Sequence, residues 1–136
     1  MSEPLRVVLD TTITVSALLL SRGPAAPLRP RWRKRQFVPL LSAGTIGRIE
    51  LVLQYPEFRL SAEQRKELLS DYVPFCDVVP DAAGGSLLEV ARKGHATWII
   101  TDEKPALASK RLPCTPVPLG AFVVLLGVPL FESLEV

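Results

Sequence analysis

Apolar residues in this chain occur in two alternating patterns. Short β-branched runs alternate with stretches whose apolar positions recur at helical spacing. The LRVVL run, Leu5 to Leu9, closes on Asp10 and predicts a buried parallel strand. TTITVSALLLS follows as a helix, with Ile13, Ala17 and Leu20 on its apolar period, Thr11 or Thr12 as its cap and Gly23-Pro24 as its end. A second helix is expected from Leu28 to Arg35, because Pro27 and Pro30 are tolerated only in a first turn. Phe37 to Leu41 reads as a strand that Pro39 makes irregular or an edge. Ser42 can cap a helix reaching Leu53 or Gln54, with Ile46, Ile49 and Leu53 on one face and Pro56 as its stop. Ser61 and Gln64 have capping-box spacing for a helix to about Tyr72. A brief strand at Val78 and Val79 comes next, then a helix from Gly85 to Lys93 closed by Gly94. A core strand from Trp98 to Thr101, a short strand near Val117 and a helix from Leu119 to Leu126 complete the pattern. Strands alternating with helices through short loops predict an α/β fold. The expectation is one domain over residues 1–136, with three α/β/α layers around a central, mainly parallel sheet.

Composition narrows the class. A hydrophobic share of 48% against 22% charged residues in 136 positions suits a packed core rather than a disordered chain. Cys76 and Cys114 are too few for a disulfide framework or a Cys-rich zinc module, and read as buried or free thiols in a reducing compartment. His95 is the only histidine, which excludes any site needing two; its place between Gly94 and the Trp98 strand is that of a turn residue. The longest greasy stretch, Val117 to Phe131, is too short to cross a membrane and is broken by Pro118, Gly120, Gly127 and Pro129. MSEPLR lacks the charged-then-apolar order of a signal peptide, so a cytoplasmic protein is expected. The small-residue run from Ala82 to Gly85 has no P-loop Lys.

The net charge of +2 hides an asymmetry. No acid lies between Asp10 and Glu50, and the seven cations there give that stretch +7, leaving −5 for the rest. Five of them fall in RPRWRKR, from Arg29 to Arg35. Arg31, Arg33, Lys34 and Arg35 could hold phosphates while Trp32 stacks on an unpaired base. The same residues would equally make a solvated helix face around a packing tryptophan.

Two strands end in acids: LRVVLD at Asp10, and TWIITDE at Asp102 and Glu103. Ligands in parallel sheets gather at the carboxyl ends of strands. If these two strands are neighbours, their carboxylates converge on one spot suited to Mg²⁺ or Mn²⁺. The bland reading of each is a helix cap.

LRVVLDTTITVSALLLSRGP, then IELVLQYPEF, then GHATWIITDEKPAL, together resemble the PIN domain, in its branch of toxin components from bacterial toxin–antitoxin pairs. The resemblance covers nearly the whole chain. It implies a Mg²⁺- or Mn²⁺-dependent ribonuclease in which about four acids hold metal that activates water. It also implies a homodimer and a small antitoxin protein as partner. The family's first acid, in an Asp-Thr-Asn motif, matches Asp10, with Thr12 at the Asn. Anchored on Val52, Leu53, Pro56 and Phe58, the second acid falls on Arg48. Glu50 is two residues on, which is about 200° around a helix. The third falls on Gly85, with Asp81 four residues upstream as a substitute if the loop folds back. The fourth, in a Thr-Gly-Asp segment, matches Glu103, with Asp102 at the Gly; an acid often found two residues later is Pro105. The family places a packing Trp where Trp32 stands.

Two of those acids are thus replaced, one by a cation. A unit charge pair ~4 Å apart at effective dielectric ~20 is worth about 4 kcal/mol, and a divalent ion would feel Arg48 twice as strongly. The expectation is that Arg48 ion-pairs with Asp10 or Glu103 in place of the metal. An impaired nuclease that keeps RNA or protein binding follows from this acid count. The alternative is an active endoribonuclease with a rearranged site using Asp10, Glu103 and Asp81 or Asp102. A phosphotransferase using Asp10 as nucleophile is set aside, because the second Asp it needs is Thr12.

Overall fold

The computed structural model describes residues 4–80, 86–108 and 113–127. Five strands form one sheet in the order β3-β2-β1-β4-β5, and every pairing is parallel. They are β1 (Leu5–Leu9), β2 (Phe37–Leu41), β3 (Asp77–Val78), β4 (Trp98–Ile100) and β5 (Thr115–Val117). The helices are α1 (Thr11–Leu19), α2 (Leu28–Arg33), α3 (Ala43–Leu53), α4 (Ala62–Ser70), α5 (Leu87–Lys93), α6 (Lys104–Ala108) and α7 (Leu119–Leu125). Short 3₁₀ turns at Pro56–Phe58 and Val73–Phe75 join them. Val7 and Leu9 face a large core shared with Ile13, Leu28, Ile49, Leu53 and Phe122, contributed by α1, α2, α3 and α7. Val8 faces the opposite side with Leu40, Ile99 and the α5 residues Val90 and Ala91. The sheet is therefore covered on both faces, as its near-continuous apolar strands require. No helix among the described residues is long and apolar enough to cross a membrane.

Pro39 does not put β2 at an edge. All five residues of β2 are buried between β1 and β3, and Pro39 pairs with Val7. The Leu41 carbonyl accepts from Val79 N–H at 2.7 Å, so Leu41 turns its peptide towards β3. Pro39, two residues earlier, turns the same way, but β3 begins only opposite Leu40. The donor that proline lacks would have had no ladder partner.

Helix ends also differ from expectation. Asp10, not Thr11 or Thr12, caps α1, and Leu20 lies past its end, extended and exposed. The Ser42 and Ser61 caps form as read: Ser42 pairs with Thr45, and Ser61 with Gln64 in a reciprocal box. α6 was not read from the pattern, whose apolar positions there are too few to show a period.

Gly94 is not the left-handed residue that closes α5. It has φ −87°, while His95 has φ +52°. Ala96 N–H bonds the Ala91 carbonyl at 2.9 Å and His95 N–H reaches that of Arg92, the paired bonds of a Schellman turn. Gly94 is needed for closeness instead: a Cβ there would stand 2.6 Å from Leu40 Cδ1 and 3.1 Å from the Val90 carbonyl oxygen. Thermal melts should separate the two roles. His95→Gly is expected to gain about 1 kcal/mol by relieving the left-handed backbone, and Gly94→Ala to lose about 1–2 kcal/mol by overpacking. No gain from His95→Gly would count against a strained left-handed turn at His95, and a neutral Gly94→Ala would count against the close approach.

Candidate functional site

The chain runs from β1 outward to β2 and β3, then returns to place β4 on the other side of β1. The carboxyl ends of β1 and β4 therefore flank the point where strand order reverses, the usual ligand crevice of an open parallel sheet. Leu9 pairs with Ile100, and Asp10 N–H bonds the Ile100 carbonyl at 2.9 Å. A cleft of about 700 Å³ opens there. Asp10, Thr11 and Thr12 line its floor with Thr101, Arg48, Val52 and Tyr55 form one wall, and Ser86, Leu87, Leu88, Glu103 and Ala106 complete it.

Asp10 is held on both oxygens. Oδ1 accepts from Thr12 N–H at 3.3 Å, and Oδ2 accepts from the Thr101 hydroxyl at 2.9 Å. Thr101, only 3% exposed, accepts in turn from Glu103 N–H at 3.1 Å. One buried hydroxyl thus joins the two strand-end carboxylate positions. In the sequence Thr101 stands out only as the last residue of a strand; the cue to its role is a hydroxyl directly before two acids.

The adjacent acids part company. Glu103 lines the cleft, whereas Asp102 Oδ1 accepts from Leu119 N–H at 2.9 Å, bonding the first turn of α7. Asp102 was a candidate metal ligand, and its carboxylate is engaged elsewhere because α7 starts beside it. Arg48 enters the cleft, but it is exposed and forms no ion pair among the described residues. The expected pair with Asp10 or Glu103 is absent: Asp10 is already satisfied by neutral donors, and an exposed guanidinium gains little from pairing in water. Glu50 is exposed and lines a different cavity with Arg65 and Lys66, as two residues of helix rotation require. Pro105 is exposed on α6. Asp81 and Gly85, like the whole run from Ala82 to Gly85, lie outside the described residues.

No group of three or more His, Cys, Asp or Glu side chains among the described residues could hold a metal ion. Among the described residues, the cleft offers two carboxylates, one with both oxygens already accepting, and a guanidinium. That donor set does not fit Mg²⁺, which demands near-octahedral oxygen coordination and gives up water reluctantly.

The basic segment is mostly committed to packing. Trp32 is fully buried, bonds the Asp71 carbonyl through Nε1 at 3.0 Å and packs on Tyr72 at 4.6 Å. Of its two sequence readings, the structure agrees with the packing tryptophan and not with the base-stacking one. Arg29 and Arg33 both bond the Asp71 carboxylate, each through Nε at 2.9 Å. Burial pushes Asp71 up, but the hydrogen bonds from Arg33 and Arg29 outweigh it and hold the carboxyl below its usual range. Arg31 is half-buried, with a buried Nε that has no hydrogen-bond partner. Only Lys34 and Arg35 of the five proposed contacts are both exposed and outside any described ion pair. Arg35 is at φ +56° and ends α2 two residues earlier than expected. His95 is exposed in its turn. Cys76 donates its thiol to the Tyr72 carbonyl at 3.2 Å, and burial pushes that thiol up to about 12.

A sequence profile described as PIN domain matches residues 6–104. Among solved structures, the chain is similar to VapBC2 from Rickettsia felis bound to a DNA fragment from their promoter, with 12% identity and a TM-score of 0.56 over 84% of this chain and 98% of that one. It is also similar to PAE2754 from Pyrobaculum aerophilum, with 14% identity and a TM-score of 0.52 over 92% of this chain and 91% of that one. At those identities the likeness is one of fold. No curated protein matches the chain.

Proposed function

Because the chain belongs to the PIN-domain family, whose profile spans most of it, we propose that it is a member of the toxin–antitoxin branch with little or no ribonuclease activity, kept for binding RNA or a partner protein. The observation that carries this reading is the content of the cleft. Asp10 and Glu103 stand at the strand ends where a PIN nuclease gathers its acids, and Arg48 lines the same space. Metal-assisted hydrolysis needs an ion that lowers the pKa of water and screens charge on the phosphate. A guanidinium at a ligand position opposes that ion without replacing its coordination. Asp10, tied to Thr12 and Thr101, serves here as the cap that starts α1 and the brace that fixes Thr101.

A small antitoxin protein belongs among the partners on the same reading, and the likeness to VapBC2 supports it. A cytoplasmic homodimer is the assembly that goes with that branch.

The test is calorimetric titration of Mg²⁺ and Mn²⁺, paired with cleavage of single-stranded RNA by wild type and Asp10→Ala. The expected result is no saturable metal binding and no cleavage above the Asp10→Ala background. Metal binding and cleavage that are both present in wild type and both lost in Asp10→Ala would establish an active nuclease and overturn the reading.

A further inference from the structure

The same cleft carries a more specific inference, which rests on the reading above. Arg48, Val52 and Tyr55 stand at i, i+4 and i+7, so one face running from α3 into the turn beyond it forms a wall of the cleft. Arg48 is exposed and outside every described ion pair, so its donor fork is available. Tyr55 is 52% exposed, and its ring lies nearly parallel to that of Phe58, at 6.1 Å and 8°. Phe58 thus flanks one side of a tyrosine that is about half open to solvent.

We propose that this wall binds a single strand of nucleic acid without a divalent ion, Arg48 holding a backbone phosphate and Tyr55 stacking on a neighbouring base. The pairing of a cation with an aromatic platform is the general means of holding unpaired strands, and a guanidinium matches phosphate bidentately. The basic α2 segment lacks this combination, because its tryptophan is buried and two of its arginines serve Asp71. Asp10 and Glu103 leave the lining one net negative charge with Arg48 counted. The acids therefore weaken rather than support binding. This reverses the sign expected of a metal centre, where removing a carboxylate weakens the hold on phosphate.

Fluorescence anisotropy with labelled single-stranded oligouridine RNA and the matching DNA, each in EDTA and in Mg²⁺, tests the inference. Wild type is expected to bind in EDTA, and the RNA and DNA arms report whether the sugar matters. Arg48→Glu and Tyr55→Ala should each weaken binding about tenfold or more, while Tyr55→Phe keeps it. Glu103→Gln should strengthen binding about twofold to fivefold by removing a repulsive charge. A Lys34→Ala/Arg35→Ala double variant should stay within about threefold of wild type. Both wall positions are exposed, and circular dichroism melts check that the variants stay folded. No wild-type binding in EDTA, unchanged binding by Arg48→Glu, or weaker binding by Glu103→Gln would each overturn the inference. Absence of binding together with absence of cleavage would sink this inference alone, whereas Mg²⁺-dependent cleavage lost in Asp10→Ala would sink the impaired-nuclease reading.

Discussion

Replacing Trp32 by alanine is expected to remove about 3–5 kcal/mol of stability, the usual cost of emptying a fully buried aromatic site. The loss has three sources. The indole is 0% exposed among Leu28, Tyr72 and other members of the larger core, so the substitution leaves a cavity. Its tilted contact with Tyr72 is lost. The Asp71 carbonyl also loses its Nε1–H donor, and a partly buried acceptor left unpaired costs about 1 kcal/mol more. Trp32→Phe, which refills part of the volume without the bond, should lose about half as much. Urea denaturation followed by intrinsic fluorescence or circular dichroism measures both. A Trp32→Ala variant as stable as wild type but deficient in nucleic-acid binding would return Trp32 to the role its sequence context suggested.

Asp71→Asn should be the largest polar defect, costing about 2–3 kcal/mol at about pH 7, with most of the loss from the Arg29 side. Arg29 is the better buried of the two guanidiniums and also bonds the Leu18 carbonyl at 3.1 Å. It joins α2 to the end of α1 and to the C-terminal end of α4. Arg33, nearly half exposed, keeps water as a substitute partner and contributes less. The effect carries a pH signature. The carboxyl is held below its ordinary value of about 3.9, so its stabilisation is complete above that value and disappears as pH falls through the lower, folded value. The gap between wild type and Asp71→Asn should therefore narrow as pH falls below about 3.9. A gap that stays constant into acid would mean that the asparagine disturbs packing rather than charge.

These two residues show what the sequence made legible and what it did not. The strand and helix alternation and the two serine caps follow from short-range patterns, whereas the sequence leaves open whether β1 and β4 are neighbours. Ser61 and Gln64 are three residues apart, and no distant partner is needed to decide what they do. Trp32 offered two readings because its five charged neighbours describe a surface, while its own burial depends on Tyr72 forty residues away. Asp10 and Asp102 looked alike at the ends of their strands. Their difference is set by what folds beside each: a buried Thr101 hydroxyl in one case, the start of α7 in the other. Pro39 misled for the same reason, since the cost of its missing donor depends on where β3 begins. The expected ion pair of Arg48 does not form among the described residues. The pairing depends on the reach of a flexible side chain across a cleft, which spacing along the chain does not encode.

The two outermost strands bear on how copies of this chain could join. In β5, the Val117 carbonyl accepts from Thr101 N–H, so Val117 and Thr115 turn their peptides inward and only Pro116 faces out. Proline has no N–H, and that rim therefore offers a passing strand no donor at all. In β3, Val79 N–H points to β2, which leaves the single outward peptide of Val78 in a strand two residues long. Among the described residues, both rims are poor templates for a further strand, which guards the sheet against edge-to-edge growth. Self-association would then draw on other surface, such as the exposed Val124 and Leu125 of α7.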